Sequence, residues 1–306
     1  MTNVAAIDCG TNSTRLLIVD GSGVALDRQM RITRLGQGVD ATGALRGDAV
    51  ERTLAVLRDY REAMDRLGVE RGRLAATSAA RDATNGAAFL AAASEATGIT
   101  AELLSGEEEG RLSFAGATGD LEGPLASTVV VDIGGGSTEL VTARDSTIAA
   151  HSMQVGCVRV TERAMPSDPP TAAELADAAA MINAAIDEAF VSLPELASTD
   201  AHRRVVGLAG TVSTLAMIDL SMSEYDEAAL HHHWLSLEAI ERWRDVLSGE
   251  GIDARRQRPG MVPGREDVIA AGAWVLFEVV SRLGAAGCLT SEHDILDGLA
   301  RSVLQA

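Results

Sequence analysis

One short segment occurs twice in this chain, and the repeat restricts the possible folds more than any other sequence feature. Residues 5–17 read AAIDCGTNSTRLL, and residues 129–141, 124 positions further on, read VVVDIGGGSTELV. Each copy begins with an apolar run typical of a buried strand, passes through a glycine-containing turn and ends in a second apolar segment. Internal repetition predicts structurally related halves. We therefore expect an α/β protein built from two duplicated units.

The polar positions of the two copies correspond as well. Asp8, Gly10, Ser13, Thr14 and Leu16 align with Asp132, Gly134, Ser137, Thr138 and Leu140. Glycine admits backbone angles that present bare N–H groups to an anion, and the hydroxyls add donors. Asp132 and Glu139 flank the second turn and could hold a hard cation such as Mg²⁺ through oxygen. Glycine turns are common in any α/β protein, so it is the second copy that favours binding of phosphate with Mg²⁺.

Length and one polar stretch predict how the chain divides. At 306 residues the chain is long enough for two domains, each with its own core. Residues 119–127 are polar and contain the pair Gly123-Pro124, which is typical of a linker. We expect an N-terminal domain at residues 1–123 and a C-terminal domain at residues 124–306. The last helix is a candidate to pack back against the first domain.

The charged residues restrict the partners. A net charge of −18 argues against nucleic-acid binding, because no excess of positive charge can release counterions. All 26 basic residues are arginine. The absence of lysine excludes a Walker-type phosphate loop and a Schiff-base mechanism. A bound phosphate would therefore depend on arginine, backbone N–H groups and metal, and the arginine fork matches phosphate oxygens two at a time.

Cysteine usage and hydropathy predict the compartment. The three cysteines lie far apart, without paired metal-type spacing, as expected in a reducing environment. The N-terminus lacks a basic region followed by an apolar one, and the apolar segment at residues 268–280 is too short to span a bilayer. We expect a cytoplasmic protein that does not bind membranes. Apolar helices in the second half favour a homodimer.

Three strands run into polar or small-residue loops that precede a helix, and such loops bind ligands in open α/β sheets. The first loop contains Arg81, a candidate phosphate clamp or simply the partner of a neighbouring carboxylate. The second contains Glu107, Glu108 and Glu109, which either complement a helix dipole or include a base that deprotonates water. The third, with Gly210 and Thr211, is either an anion site or a tight packing turn.

The run His231–His233 invites a metal assignment. Consecutive side chains point in different directions on a helix or a strand, so three adjacent histidines do not share one ion. We therefore do not expect this run to bind a metal.

The repeated segment resembles the actin, Hsp70 and sugar-kinase (ASKHA, ribonuclease H-like) group of folds. Most of the chain resembles the exopolyphosphatase and guanosine-pentaphosphate phosphohydrolase (Ppx/GppA) family. The resemblance rests on seven segments in order: AAIDCGTNSTRLLIV, ATSAARDATN, LLSGEEEGRL, VVVDIGGGSTELV, QVGCVRVTE, GLAGTVSTLA and PGREDVIAAG. It implies two actin-like domains with an interdomain cleft. Longer members add a C-terminal region resembling HD phosphohydrolases, which this sequence lacks.

The resemblance also implies roles for individual residues. Glu109, the last of the acidic run, would be the general base, and Arg81 would clamp the phosphate oxygens and neutralise their charge. Mg²⁺ would be organised by Asp8, Asp132 and Glu139, directly or through water, and a monovalent cation such as K⁺ is a further candidate. The substrate-binding residues would be Asn12, Ser13, Gly135, Gly136, Ser137, Gly210, Thr211 and Arg265.

Four activities fit these motifs. The first is an exopolyphosphatase that releases orthophosphate from the ends of inorganic polyphosphate. The second is a 5′-phosphohydrolase of guanosine pentaphosphate, which would need a platform for the base, and an aromatic content of 3% offers few candidates. The third is a kinase of the sugar or acetate type, and the fourth is a non-catalytic sensor of polyphosphate or alarmone. We favour the first.

Overall fold

The chain forms two compact units. The computed structural model describes residues 2–123, 125–144, 147–197 and 203–306. The first unit contains the residues up to Gly119 together with Asp294–Ala306, and the second contains Asp120–His293. The division therefore falls a few residues before the linker pair Gly123-Pro124, of which Pro124 lies outside the described residues.

The first unit has a five-stranded sheet with strand order β3-β2-β1-β4-β5. Its strands are β1 (Asn3–Cys9), β2 (Ser13–Val19), β3 (Ala25–Ile32), β4 (Val69–Ala76) and β5 (Ala101–Leu103). Its helices are α1 (Val39–Thr42), α2 (Gly47–Arg66), α3 (Ser78–Asp82), α4 (Gly86–Thr97) and α5 (Gly106–Ala117), and one more, α13 (Ile295–Gln305), comes from the C-terminal segment. Strands β1, β2 and β3 form an antiparallel meander, whereas β4 and β5 run parallel to β1.

Helix α13 belongs to the first unit because its apolar side chains complete one of that unit's two cores. On one face of the sheet, Ile7 and its neighbours pack with side chains of α2 and α4. On the other face, Val4 and Leu17 pack with Leu296 and Leu299 of α13. Strand β1 is thus buried on both faces, as its nearly continuous apolar sequence predicts.

The second unit has a six-stranded sheet with strand order β10-β11-β9-β6-β7-β8. Its strands are β6 (Thr128–Ile133), β7 (Thr138–Arg144), β8 (Thr147–Met153), β9 (Arg204–Leu208), β10 (Trp234–Ser236) and β11 (Gly287–Thr290). Its helices are α6 (Cys157–Ala164), α7 (Ala172–Ser192), α8 (Ala209–Asp219), α9 (Glu227–Leu230), α10 (Leu237–Gly249), α11 (Ile252–Arg256) and α12 (Ile269–Arg282). One large core joins β6, β9, α7 and α12.

The two sheets share one topology. If β10 is set aside, the order β8-β7-β6-β9-β11 matches β3-β2-β1-β4-β5, including the antiparallel and parallel pairings. The register repeats as well: Cys9 pairs with Thr14, and Ile133 pairs with Thr138. These facts confirm the predicted α/β class with two duplicated units of the actin-like kind.

A helix that crosses a bilayer must be both long and apolar. Within the described residues, none is both long enough and apolar enough to cross a membrane.

Candidate functional site

Backbone hydrogen bonds to its carbonyl groups fix the turn between β1 and β2. The N–H of Gly10 donates to the carbonyl of Ser13 at 3.0 Å and closes the turn. The carbonyl of Thr11 accepts from the N–H of Gly36 at 2.8 Å, and that of Asn12 accepts from Thr33 and Arg34. Gly36 is required because a Cβ there would lie 2.4 Å from a methyl carbon of Thr11.

The turn between β6 and β7 has the same construction with a different support. The N–H of Gly134 donates to the carbonyl of Ser137 at 3.0 Å. The carbonyls of Gly134 and Gly135 accept from the first amides of α6, and the carbonyl of Gly136 accepts from Nε of Arg159 at 2.7 Å. Gly156 allows this approach, since a Cβ there would lie 2.5 Å from the carbonyl oxygen of Gly135. The segment QVGCVR therefore supports the glycine turn.

In both turns the carbonyl groups accept hydrogen bonds from the protein, whereas some backbone amides do not donate to any described residue. Among the described residues, the N–H groups of Thr11 and Asn12 in the first turn, and of Gly135 and Gly136 in the second, have no hydrogen-bond acceptor. The side-chain Nδ2 of Asn12, which is 6% exposed, also has none there. A buried donor without an acceptor, such as Nδ2 of Asn12, is uncommon in folded proteins, and an anion could accept from it and from the turn amides.

The charged positions beside the turns differ between the halves. Directly opposite Asp8 on the neighbouring strand is Arg15, whose Nη2 donates to Oδ2 of Asp8 at 2.8 Å. Arg15 also pairs with Asp294 at the start of α13. The equivalent partner of Asp132 is Glu139, so two carboxylates share one face of the second sheet. The repeat is thus symmetric in backbone and asymmetric in charge.

Asp8 keeps one oxygen for another ligand. Burial raises the pKa of Asp8 above its ordinary value, and the neighbouring Arg15 lowers it only in part. Its Oδ1 is buried and lacks a hydrogen-bond partner among the described residues. An oxygen of this kind fits a cation or a bound water.

Asp132 and Glu139 also have the donor chemistry that Mg²⁺ prefers. The two side chains are 7% and 1% exposed. Oε1 of Glu139 accepts from Oγ of Ser152 on β8 at 2.6 Å, which fixes the orientation of the carboxylate. Opposed like charges destabilise a strand pair, and a divalent cation would neutralise them. The residues at all three predicted metal positions therefore fit Mg²⁺ chemically.

The three glutamates at the start of α5 have different surroundings. Glu107 pairs with Arg111 and is 65% exposed, and Glu108 pairs with Arg73 and is 48% exposed. Glu109 is 12% exposed, and its Oε2 lies 3.3 Å from Nη1 of Arg81. Of the three carboxylates, only Glu109 is thus held against a candidate site residue.

Arg81 is oriented by the backbone carbonyl of the residue that follows β5. Its Nη1 donates to the carbonyl of Leu104 at 2.9 Å, while its Nη2 is buried without an acceptor among the described residues. Glu109 and Arg81 follow the carboxyl ends of β5 and β4, next to β1 and its turn. The parallel strands of the first unit therefore bring Asp8, Asn12, Ser13, Arg81 and Glu109 to one edge of the sheet.

In the second unit, the third predicted loop is closely packed. Gly210 lies in the first turn of α8, and the guanidinium carbon of Arg265 lies 1.9 Å from the position that a Cβ of Gly210 would take. Thr211 is 1% exposed. Arg265 and Thr211 both lie near the buried thiol of Cys157, at the start of the helix that supports the glycine turn. Burial raises the pKa of this thiol, and the charge of Arg265 and a hydrogen bond with Thr211 offset part of that rise. The predicted residues Gly210, Thr211 and Arg265 thus form one group behind that turn.

Sequence reasoning missed the supporting residues. Arg15, Ser152 and Arg159 each bind a predicted site residue, but each is an ordinary polar residue whose partner is determined by strand register or by the fold. The register could have identified Arg15 and Glu139 as the residues opposite the two aspartates, since the turn length fixes the pairing. Within the described residues, a further group of Asp120, His231 and His293 was not predicted.

The chain is thus built from two actin-like α/β units, each with a donor-rich turn between its first two strands. The chain belongs to the Ppx/GppA phosphatase family, whose sequence model matches residues 17–305.

Individual relatives agree with this assignment. The chain is 44% identical to Exopolyphosphatase 2 of Mycobacterium tuberculosis, over an alignment that covers 99% of each protein. Among solved structures, an exopolyphosphatase-like protein is 35% identical, with a TM-score of 0.93 and 99% of each chain covered. A Ppx/GppA family member from Aquifex aeolicus is 29% identical, with a TM-score of 0.80, covering 99% of this chain and 98% of the other.

Proposed function

We propose that this protein is an exopolyphosphatase, which hydrolyses the terminal phosphoanhydride bond of inorganic polyphosphate and releases orthophosphate. Family membership and the name of the Mycobacterium tuberculosis relative support the reaction class. The observation that carries the proposal is a set of buried polar atoms without partners among the described residues: Oδ1 of Asp8, Nδ2 of Asn12 and Nη2 of Arg81. One acceptor for a cation and two donors for phosphate oxygens are what a terminal phosphate with its metal would require.

Phosphoanhydride hydrolysis needs placement of water and neutralisation of charge on the phosphoryl oxygens. Glu109 orients the attacking water and accepts its proton. Arg81 directs Nη2 at the phosphoryl oxygens while its Nη1 contact keeps Glu109 in position. The shortened polyphosphate is a good leaving group, so the reaction needs no strong general acid.

The remaining predicted residues bind the substrate. Turn amides at Gly135 and Gly136, with Ser137, hold phosphate oxygens, as do Asn12 and Ser13 in the first unit. The group behind the second turn, formed by Gly210, Thr211 and Arg265, supports phosphate binding at that turn. Asp132 and Glu139, and in the first unit Asp8, are the proposed Mg²⁺ ligands, directly or through water. When bound, Mg²⁺ supplies charge neutralisation at the phosphate oxygens.

One assay tests the proposal. Orthophosphate release is measured from short polyphosphate, long polyphosphate and guanosine pentaphosphate, each with and without Mg²⁺. We expect release from polyphosphate that requires Mg²⁺ and no acceptor molecule, and release by the Glu109→Gln variant that is about 10²–10⁴-fold slower.

The same assay identifies the alternatives. Faster release from guanosine pentaphosphate than from either polyphosphate would indicate an alarmone phosphohydrolase. Binding of polyphosphate without any turnover in Mg²⁺ would indicate a sensor. Turnover that depends on an added acceptor would indicate a kinase. Each of these results would overturn the exopolyphosphatase proposal.

A further inference from the structure

Three polar side chains that are remote in sequence meet in the second unit. Oδ2 of Asp120 lies 2.6 Å from Nε2 of His231 and 3.3 Å from Nδ1 of His293. The ring centroids of His231 and His293 are 4.4 Å apart. All three candidate ligand atoms lie within 4.8 Å of one another. From these contacts we infer a binding site for a divalent transition-metal ion, with Asp120, His231 and His293 as ligands.

The donor separation between Asp120 and His293 is that of a loaded site, and the separation between Asp120 and His231 is shorter. Zinc takes imidazole nitrogen and carboxylate oxygen at about 2.0–2.2 Å, so tetrahedral donors are separated by about 3.3 Å. The Asp120–His293 separation already has this value. The Asp120–His231 hydrogen bond must open by several tenths of an ångström, as expected when an ion replaces a proton between the two groups. Two imidazoles and one carboxylate leave a coordination position for water.

A carboxylate lies near the second ring nitrogen of one proposed ligand. Nε2 of His293, the ring nitrogen that does not face Asp120, lies 3.8 Å from Oε1 of Glu227. A ligating histidine commonly directs its second ring nitrogen at a carboxylate, which fixes the ring and raises its basicity. Glu227 can serve in this way for His293.

His231 has a different second partner, and this gives the site a signature. The backbone N–H of Glu292 donates to Nδ1 of His231 at 3.2 Å, so without metal the ring proton is on Nε2 and is donated to Asp120. Ligation through Nε2 moves that proton to Nδ1 and removes the acceptor of the Glu292 amide. Metal uptake should therefore change the environment of this backbone amide.

The donor set distinguishes this site from the proposed Mg²⁺ ligands. Imidazole nitrogen suits Zn²⁺ and other transition ions, whereas Mg²⁺ prefers oxygen. Of the consecutive histidine run, His231 belongs to this group, whereas Nε2 of His233 lies 3.6 Å from Asp219 and Nε2 of His232 lies 4.0 Å from the other carboxylate oxygen of Asp120. Asp120 and His293 are the first and last residues of the second unit, so a bound ion would join both ends of that unit to the segment before β10.

Zn²⁺ titration of the chelator-treated full-length protein tests the inference, with Mg²⁺ present in excess throughout. We expect one Zn²⁺ per chain and a rise in melting temperature on loading. His231→Asn, His293→Asn and Asp120→Asn should each weaken Zn²⁺ binding at least tenfold and abolish that rise. The matched control is His151→Ala, which removes a histidine of β8 outside the group and should bind like the wild type.

Two measurements on the wild-type protein keep the test independent of variant folding. X-ray absorption of the Zn²⁺-loaded protein should show imidazole nitrogen ligands, and the Glu292 amide resonance should shift on loading. Equal Zn²⁺ binding by the wild type and all three ligand variants would overturn the site. So would a zinc coordination shell composed of oxygen alone, or an unchanged Glu292 amide at saturation.

Discussion

Glu109 differs from its acidic neighbours in its surroundings and not in its chemistry. All three carboxylates lie in the first turn of α5, where they complement the helix dipole. Glu107 and Glu108 pair with arginines on the exposed surface, whereas Glu109 is withdrawn from solvent against Arg81. A general base needs this fixed orientation, because catalysis depends on the position of the accepted proton.

The comparison of Glu109 with Glu107 yields the first prediction. Glu109→Gln should lower kcat for polyphosphate by about 10²–10⁴-fold, since the amide keeps the shape and loses the base. Substrate binding should change little. Glu107→Gln, a substitution at the exposed carboxylate of the same turn, should retain near-normal kcat. Initial rates of orthophosphate release with Mg²⁺ check both variants, and a near-normal rate for Glu109→Gln would remove Glu109 from the proposed role.

The three cysteines yield a second prediction. All are buried, and burial raises the pKa of Cys288 to about 12 and the pKa values of Cys9 and Cys157 above their ordinary range. A raised thiol pKa means less thiolate at a given pH. For Cys288 at pH 8 the thiolate fraction should fall roughly 10³-fold relative to an unfolded thiol with pKa of about 8.5.

A thiol-reactive dye should therefore label the native protein very slowly and label all three cysteines promptly in urea. Mass spectrometry after timed labelling gives the count. Rapid modification of any single cysteine in native buffer would contradict its burial.

At the level of strands and turns, the repeated sequence predicted the architecture well. The alignment of Asp8 with Asp132 and of Ser13 with Ser137 corresponds to the same strand pairing and the same turn hydrogen bond in both units. A repeat is informative because strand register is set by turn length, and both are encoded locally. The local sequence thus contains enough information for the turns and their adjoining strands.

Features that depend on distant segments could not be predicted in this way. The sequence around Arg15 does not indicate that Asp294 will lie beside it, because α13 must first pack on β1 and β2. Likewise, His293 and Asp120 meet His231 only through the fold of the second unit. Long-range contacts of this kind follow from tertiary packing, for which a single sequence gives no pairing information.

The supports behind the turns yield a third prediction. Gly156→Ala would place a Cβ 2.5 Å from the carbonyl oxygen of Gly135, and because the obstacle is backbone, the glycine turn has to move. We expect KM for polyphosphate to rise by at least about tenfold, since each misplaced phosphate hydrogen bond costs about 1.5–3 kcal/mol. Gly249→Ala, at the end of α10 with open space around it, is the matched control and should leave KM unchanged.

Steady-state kinetics on both glycine variants check this prediction, with circular dichroism as the test of folding. An unchanged KM for a well-folded Gly156→Ala protein would show that the position of the turn does not control phosphate binding.

For the molecule as a whole, the first unit is built from two separated stretches of chain. Leu299 of α13 is fully buried against side chains of β1 and β2. This side chain belongs to a core that the N-terminal segment cannot complete without α13. The stability of the first unit therefore depends on residues far from its own beginning.

A fourth prediction follows from this dependence. Leu299→Ala should destabilise the protein by about 2–5 kcal/mol through loss of buried apolar surface and the cavity left behind. Gln305→Ala, which truncates an exposed side chain of the same helix, should change stability by less than about 0.5 kcal/mol. Urea midpoints of the two variants against the wild type provide the measurement. Equal midpoints would mean that α13 contributes little to the core.

The return of α13 has a consequence for synthesis on the ribosome. Residues 120–293 form an uninterrupted segment, so the second unit can fold as soon as that stretch has emerged. The sheet containing β1, although translated much earlier, stays open on one face until residues 294–306 arrive. A nascent chain that stalls before this helix would expose Val4 and Leu17 and would become a substrate for chaperones.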